Sequence, residues 1–263
     1  MIRRLTGLVA VLILVTGCAP RGPGGGGAPG NGAGDAARPL TVAAASDLHF
    51  AFSEIGKLFT EETGVEVTFT FGASGSLARQ IENGAPVDLF AAADTAYVDH
   101  LIEAGAILPD SRRVYALGHL VLAAGAAAPV DDLEDLLDPA IRHLAVANPD
   151  HAPYGRAARE ALESAGLWEA LQPKLVLAEN VRQALQYVET GNADAGLVPR
   201  SLADVPDITF VAVDPSLYAP LEQTLGIVAG SPREAEARRF AELVTGPEGR
   251  AVLERYGFGL PAE

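Results

Sequence analysis

From Leu40 onward the chain alternates short apolar runs with amphipathic segments, a rhythm that predicts an α/β fold. Leu40 to Ala45 is apolar at nearly every position and predicts a buried strand. Ser46 and Asp47 can cap the next segment, where Phe50, Ile55, Leu58 and Phe59 recur at helical spacing as far as Gly64. Val65 to Phe71 carries the β-branched and aromatic residues that strands favour. The small residues Gly72-Ala73-Ser74-Gly75-Ser76 lead into a helix with Leu77 and Ile81 on one face, stopped by Asn83-Gly84. Val87 to Ala92 predicts a third strand, and Asp94 caps a helix through Val98, Leu101 and Ile102 that closes at Gly105.

The same alternation continues. Leu120 to Ala124, Leu144 to Ala147, Lys174 to Ala178, Ala195 to Val198, Phe210 to Val213 and Leu225 to Ala229 predict strands. Between them lie a short acidic helix around Leu133, Leu136 and Leu137, a helix from Arg156 to Ala165, and one capped by Asn180 that carries Val181, Ala184, Leu185 and Val188. Two Ala- and Glu-rich helices, 234–245 and 248–255, end the pattern. So many strands exceed one sheet, and two α/β lobes flanking a cleft are expected, 40–118 with 225–263 forming one and 119–224 the other.

The first 39 residues follow other rules. Arg3 and Arg4, the apolar run from Leu8 to Val15 and the small residues before Cys18 predict a secretory signal over 1–17, too short for a membrane span of about 20 residues. Val15-Thr16-Gly17-Cys18 resembles the lipobox of bacterial lipoproteins, which implies that Cys18 is the lipidated first residue of the mature, extracytoplasmic (periplasmic) protein. Residues 18–39 are rich in Gly, Ala and Pro and predict a flexible tether. Cys18 is the sole cysteine, so an internal disulfide and any multi-thiolate metal site are excluded.

Charge narrows the partners. With 19 basic and 34 acidic residues the net charge is −15, and loss of 1–17 takes away Arg3 and Arg4 to leave −17. That balance argues against nucleic acid as a partner. A monomer is expected. Three strand-to-helix junctions, at Ser46, at Ser74 and at Asn180-Val181, nonetheless carry small or capping residues. Helix starts present unpaired N–H groups and partial positive charge at the carboxyl ends of strands, so the cleft should favour an anion.

These junctions sit in longer blocks: Ala43-Ala44-Ala45-Ser46-Asp47-Leu48, Phe71 through Pro86, Val87 through Asp94, Asn148 through Gly155, and Arg255-Tyr256-Gly257-Phe258. In order and over Leu40 to Phe258 they resemble the periplasmic molybdate-binding proteins of ABC importers, which have the two-lobed type II periplasmic-binding-protein fold. The resemblance implies a ligand, molybdate or tungstate, no cofactor, no catalysis, and an ABC transporter permease as partner. It places the oxyanion on the hydroxyls and nearby N–H groups of Ser46 and Ser74 and on the backbone at Tyr154 and Val181. Some members add a tyrosine where this chain has Pro199, which has no donor; the Tyr154 phenol is the candidate substitute. Both metal oxyanions are fully deprotonated dianions near neutral pH, so the expected pocket holds donors and no carboxylate.

Three rival readings remain open on the residues. The same fold could take sulfate or phosphate, which share charge and shape and would be separated by cavity size. Gly72-Ala73-Ser74-Gly75-Ser76 is like the Gly-x-Ser-x-Gly nucleophile elbow of secreted serine hydrolases, broken by Ser76 at the second glycine. The third is an anchored scaffold protein without ligand, and each serine taken alone could be only a helix cap. His49, His100, His119, His143 and His151 show no paired metal-ligand spacing, and Trp168 is expected as a core anchor.

Overall fold

A computed structural model describes residues 38–125 and 130–261. The expected signal, the lipidation site Cys18 and nearly all of the tether therefore lie outside the described residues. No described helix is long and apolar enough to cross a membrane.

The two-lobed α/β architecture is present, with one five-stranded sheet per lobe. The first runs β2-β1-β3-β10-β4, from β1 (Leu40–Ala45), β2 (Val67–Gly72), β3 (Leu89–Ala92), β4 (Arg113–Gly118) and β10 (Leu221–Ile227). The second runs β7-β6-β8-β5-β9, from β5 (Leu120–Gly125), β6 (Leu144–Ala147), β7 (Leu175–Ala178), β8 (Ala195–Pro199) and β9 (Ile208–Ala212). In each sheet three strands are parallel and one antiparallel strand is inserted next to them: β10 against β3 and β4, β5 against β8 and β9. The chain changes lobe between β4 and β5, with only His119 between the two strands, and returns between β9 and β10.

Burial explains the local patterns. β1 is covered on both faces and is apolar except for Thr41, as inner parallel strands are. β2 lies at the sheet edge, and there Thr68 and Thr70 face solvent while Val67, Phe69 and Phe71 turn inward. Helix α1 (His49–Thr63) buries Ala51, Phe52, Ile55 and Phe59 as one stripe and ends at Gly64, whose φ of 71° favours glycine. The rings of Phe52 and Phe59 meet Phe240 of the helix Glu234–Thr245, so a late helix completes the first lobe's core.

Two strands differ from the sequence pattern. β4 was not expected, and β10 begins at Leu221 rather than Leu225: its Gln223 and Thr224 are fully buried polar residues, which an apolar pattern does not mark. The expected acidic helix is a single 3₁₀ turn, Glu134–Leu137. Trp168 is half-buried at the start of α5 (Trp168–Leu171), with the Arg159 guanidinium 5.3 Å from its ring centroid, instead of being a central anchor.

Gly155 shows how closely the second lobe is packed beside its sheet. A Cβ there would lie 2.1 Å from the Ala147 carbonyl oxygen, a backbone atom that cannot yield without moving β6. Gly155→Ala is expected to cost about 1–3 kcal/mol of stability, measured by denaturant unfolding. An unchanged midpoint would mean that the strand end moves freely.

Candidate functional site

The carboxyl ends of the parallel strands from both sheets face one another, and the four expected residues meet there. Ser46 opens a 3₁₀ turn, Ser46–Leu48, directly after β1. Ser74 is the first residue of α2 (Ser74–Glu82), after β2. On the opposite wall, Tyr154 is the second residue of α4 (Pro153–Ser164), and Val181 is the first of α6 (Val181–Glu189). All four are at most 5% exposed and line one narrow cavity of about 10 Å³. Ala45, Gly72, Ala73, Ala93, Ala152 and Pro153 supply much of the remaining wall, so small residues leave the backbone accessible.

Hydrogen-bond geometry assigns the donors. Neither serine caps its helix through the side chain, contrary to the capping expected of Ser46. The Ser74 hydroxyl instead accepts the N–H of Ala93 at 3.0 Å, which leaves its own proton to donate elsewhere. Asn180 does cap α6, but its side-chain oxygen takes the N–H groups of Arg182 and Gln183 at 3.0 and 3.2 Å, not that of Val181. Three helix starts thus point their positive ends into a cavity that has no Lys or Arg on its wall among the described residues. Such a set of neutral donors can hold a small anion in a water-poor space.

One expectation fails: the wall does contain a carboxylate. Asp47, next to Ser46, is 1% exposed and lines the cavity. Burial pushes its carboxyl up from 3.8 to about 7. The Tyr154 phenol and the Gln223 amide lie close enough to oppose that effect, though neither completes a hydrogen bond of good geometry to Asp47. The Tyr154 hydroxyl is directed past the anion-facing wall towards Gly118, where a Cβ would lie 2.2 Å from it. Burial, and then the nearby Asp47 charge, raise this phenol well above its usual range, so it stays a neutral O–H. Tyr115 and Gln223, also buried there, add further polar atoms without partners. Pro199 ends β8 and is not part of the cavity lining.

The hydrolase reading finds no support in this geometry. The bond that Ser74 Oγ makes is to the Ala93 amide, and His151 turns Nε2 to the Glu179 carbonyl, 3.0 Å away. Among the described residues no cluster of His, Cys, Asp and Glu is arranged to hold a metal ion.

The fold agrees with sequence comparison. Residues 40–259 match the model of the bacterial extracellular solute-binding protein family. The chain belongs to that family. Among its relatives, the molybdate-binding protein ModA of Rhodobacter capsulatus is 36% identical over 224 residues, 85% of this chain and 89% of the relative. ModA of Mycobacterium tuberculosis strain H37Rv is 34% identical over 262 residues, 97% of each chain. The solved periplasmic molybdate-binding protein of Azotobacter vinelandii superposes with a TM-score of 0.80 at 33% identity, covering 85% of this chain and all of that one. A sulfate-binding protein of Mycobacterium tuberculosis shares the solute-binding fold at 19% identity and a TM-score of 0.71.

Proposed function

We propose that this solute-binding protein captures molybdate, and tungstate in the same way, and hands it to an ABC transporter permease without catalysing a reaction. The observation that carries this reading is the convergence of Ser46, Ser74, Tyr154 and Val181 on one small cavity from two lobes. The Ser46 and Ser74 hydroxyls and the backbone N–H groups at these four positions are the proposed donors to the oxo atoms of the ion. A tetrahedral dianion offers only acceptors, and this wall offers uncharged donors at three helix starts. Similarity to relatives named for molybdate points the same way.

Calorimetric titration with molybdate, tungstate, sulfate and phosphate tests the choice of ligand. Binding of the two metal oxyanions with weak or no response to the others is expected, and a response to sulfate alone overturns it. For location, the proposed form is a monomer held outside the cytoplasm by lipid on Cys18. Cys18→Ala should shift the protein from the membrane fraction to the soluble one; a variant that still sediments with membranes refutes the anchor.

A further inference from the structure

Among the described residues, Arg156 supplies the charged side-chain contact between the two walls of the cavity, beside the buried Ser201 hydroxyl that donates to the Asp47 carbonyl at 2.7 Å. Arg156 lies on α4, two residues after Tyr154, and reaches across the cleft to the first lobe. There its Nη2 pairs with the Asp94 carboxylate, and its Nη1 donates to the Tyr97 hydroxyl at 3.0 Å. The guanidinium carbon also sits 5.5 Å from the centroid of the Tyr97 ring. Asp94 is itself held, because its other oxygen caps α3 (Thr95–Glu103) through the N–H of Ala96 at 2.8 Å. It directly follows Ala93, the cavity residue that Ser74 Oγ holds.

The seam beside this contact is backbone. The Gly75 N–H donates to the His151 carbonyl across the lobes at 2.9 Å. A Cβ on Gly75 would lie 2.9 Å from both that carbonyl and the Tyr97 hydroxyl, so only glycine admits the approach. Ser76 and Glu179 add a longer contact of 3.4 Å between exposed groups. Of these crossings, the Arg156 fork alone joins opposite charges, and it has a fixed acceptor on one side and a site helix on the other.

We propose that Arg156 is the clasp of the closed form, a positioning residue whose bonds to Asp94 and Tyr97 set how long the bound anion is retained. The clasp rests on the anion-binding reading above. It contributes nothing to the initial encounter, because it lies outside the cavity wall and forms when the lobes meet. Its loss therefore acts on release.

The test uses radiolabelled molybdate, following association and then release into excess unlabelled molybdate. Arg156→Ala should release the ion about three- to tenfold faster, with an unchanged association rate and an unchanged melting temperature without ligand. Asp94→Asn keeps the helix cap but loses the charge, and should give a similar increase. The double variant should be no faster than the faster single variant, since both remove one contact. Arg156→Lys should recover part of the retention. Unchanged release in Arg156→Ala overturns the clasp, as does an equal loss in association and release. Should the wild type bind no molybdate, the earlier reading falls instead; the clasp is then judged by small-angle scattering, where equal radii for wild type and Arg156→Ala refute it.

Discussion

Replacing both cavity serines, Ser46→Ala with Ser74→Ala, is expected to weaken molybdate binding by about two to four powers of ten. Each hydroxyl lost is one hydrogen bond to a doubly charged ion, a contribution of about 1.5–3 kcal/mol. The singles should also differ in the ligand-free protein. Ser74 Oγ accepts the buried Ala93 N–H, so its removal orphans that donor and should cost about 1–3 kcal/mol of stability. Ser46 makes no bond of this kind to its own helix. Titration calorimetry and denaturant unfolding on the three variants separate these effects. Wild-type affinity in the double variant would mean that the anion sits elsewhere.

The second large effect depends on pH and arises at Asp47. Its folded pKa of about 7 exceeds the ordinary 3.8, so the folded protein retains a proton that the unfolded chain gives up. The stability tied to that proton is complete below about pH 4. It falls as pH rises towards 7 and is then gone, a loss on the order of 4 kcal/mol at full burial. A bound dianion disfavours the carboxylate further, and none of the shifts at Asp47 comes from a nearby cation. Affinity should therefore decline above pH 7, by up to about tenfold per unit. Asp47→Asn should flatten both profiles between pH 5 and 9. If wild type and variant show the same pH dependence of melting and binding, Asp47 does not titrate in the folded protein.

Much of the molecule was legible because parallel strands and helix stripes write themselves in apolar spacing. β1 and α1 are such cases: Leu40 to Ala45 is apolar except for Thr41, and of the expected Phe50, Ile55, Leu58 and Phe59 the helix buries Ile55 and Phe59, with Phe52 beside them, while Phe50 and Leu58 are half-buried. β10 was misplaced because its buried Gln223 and Thr224 look like surface residues, and burial of polar groups at a lobe junction leaves no periodic trace. β4 also went unseen: it is an edge strand, with β10 on one side and a single bridge from Leu117 to Gly259 on the other. At the site, the residue types and their helix-start positions were readable, and the four positions do converge. What each serine hydroxyl does was not, since capping and ligand donation use the same residue in the same place. Asp47 was missed as a wall residue because its proximity to Tyr154 exists only after the lobes meet, and that to Gln223 only once β10 has joined the first sheet.

The position of β10 has a consequence for the order in which the chain can fold. Among the described strands β4 has β10 as its sole neighbour in the first sheet, and β10 lies more than a hundred residues downstream, beyond every strand of the second sheet. A chain emerging from its N-terminus can finish the second lobe while the first still has an unfilled slot between β3 and the place of β4. Synthesis halted before Leu221 would leave an exposed sheet edge, a natural handle for chaperones and proteases during export.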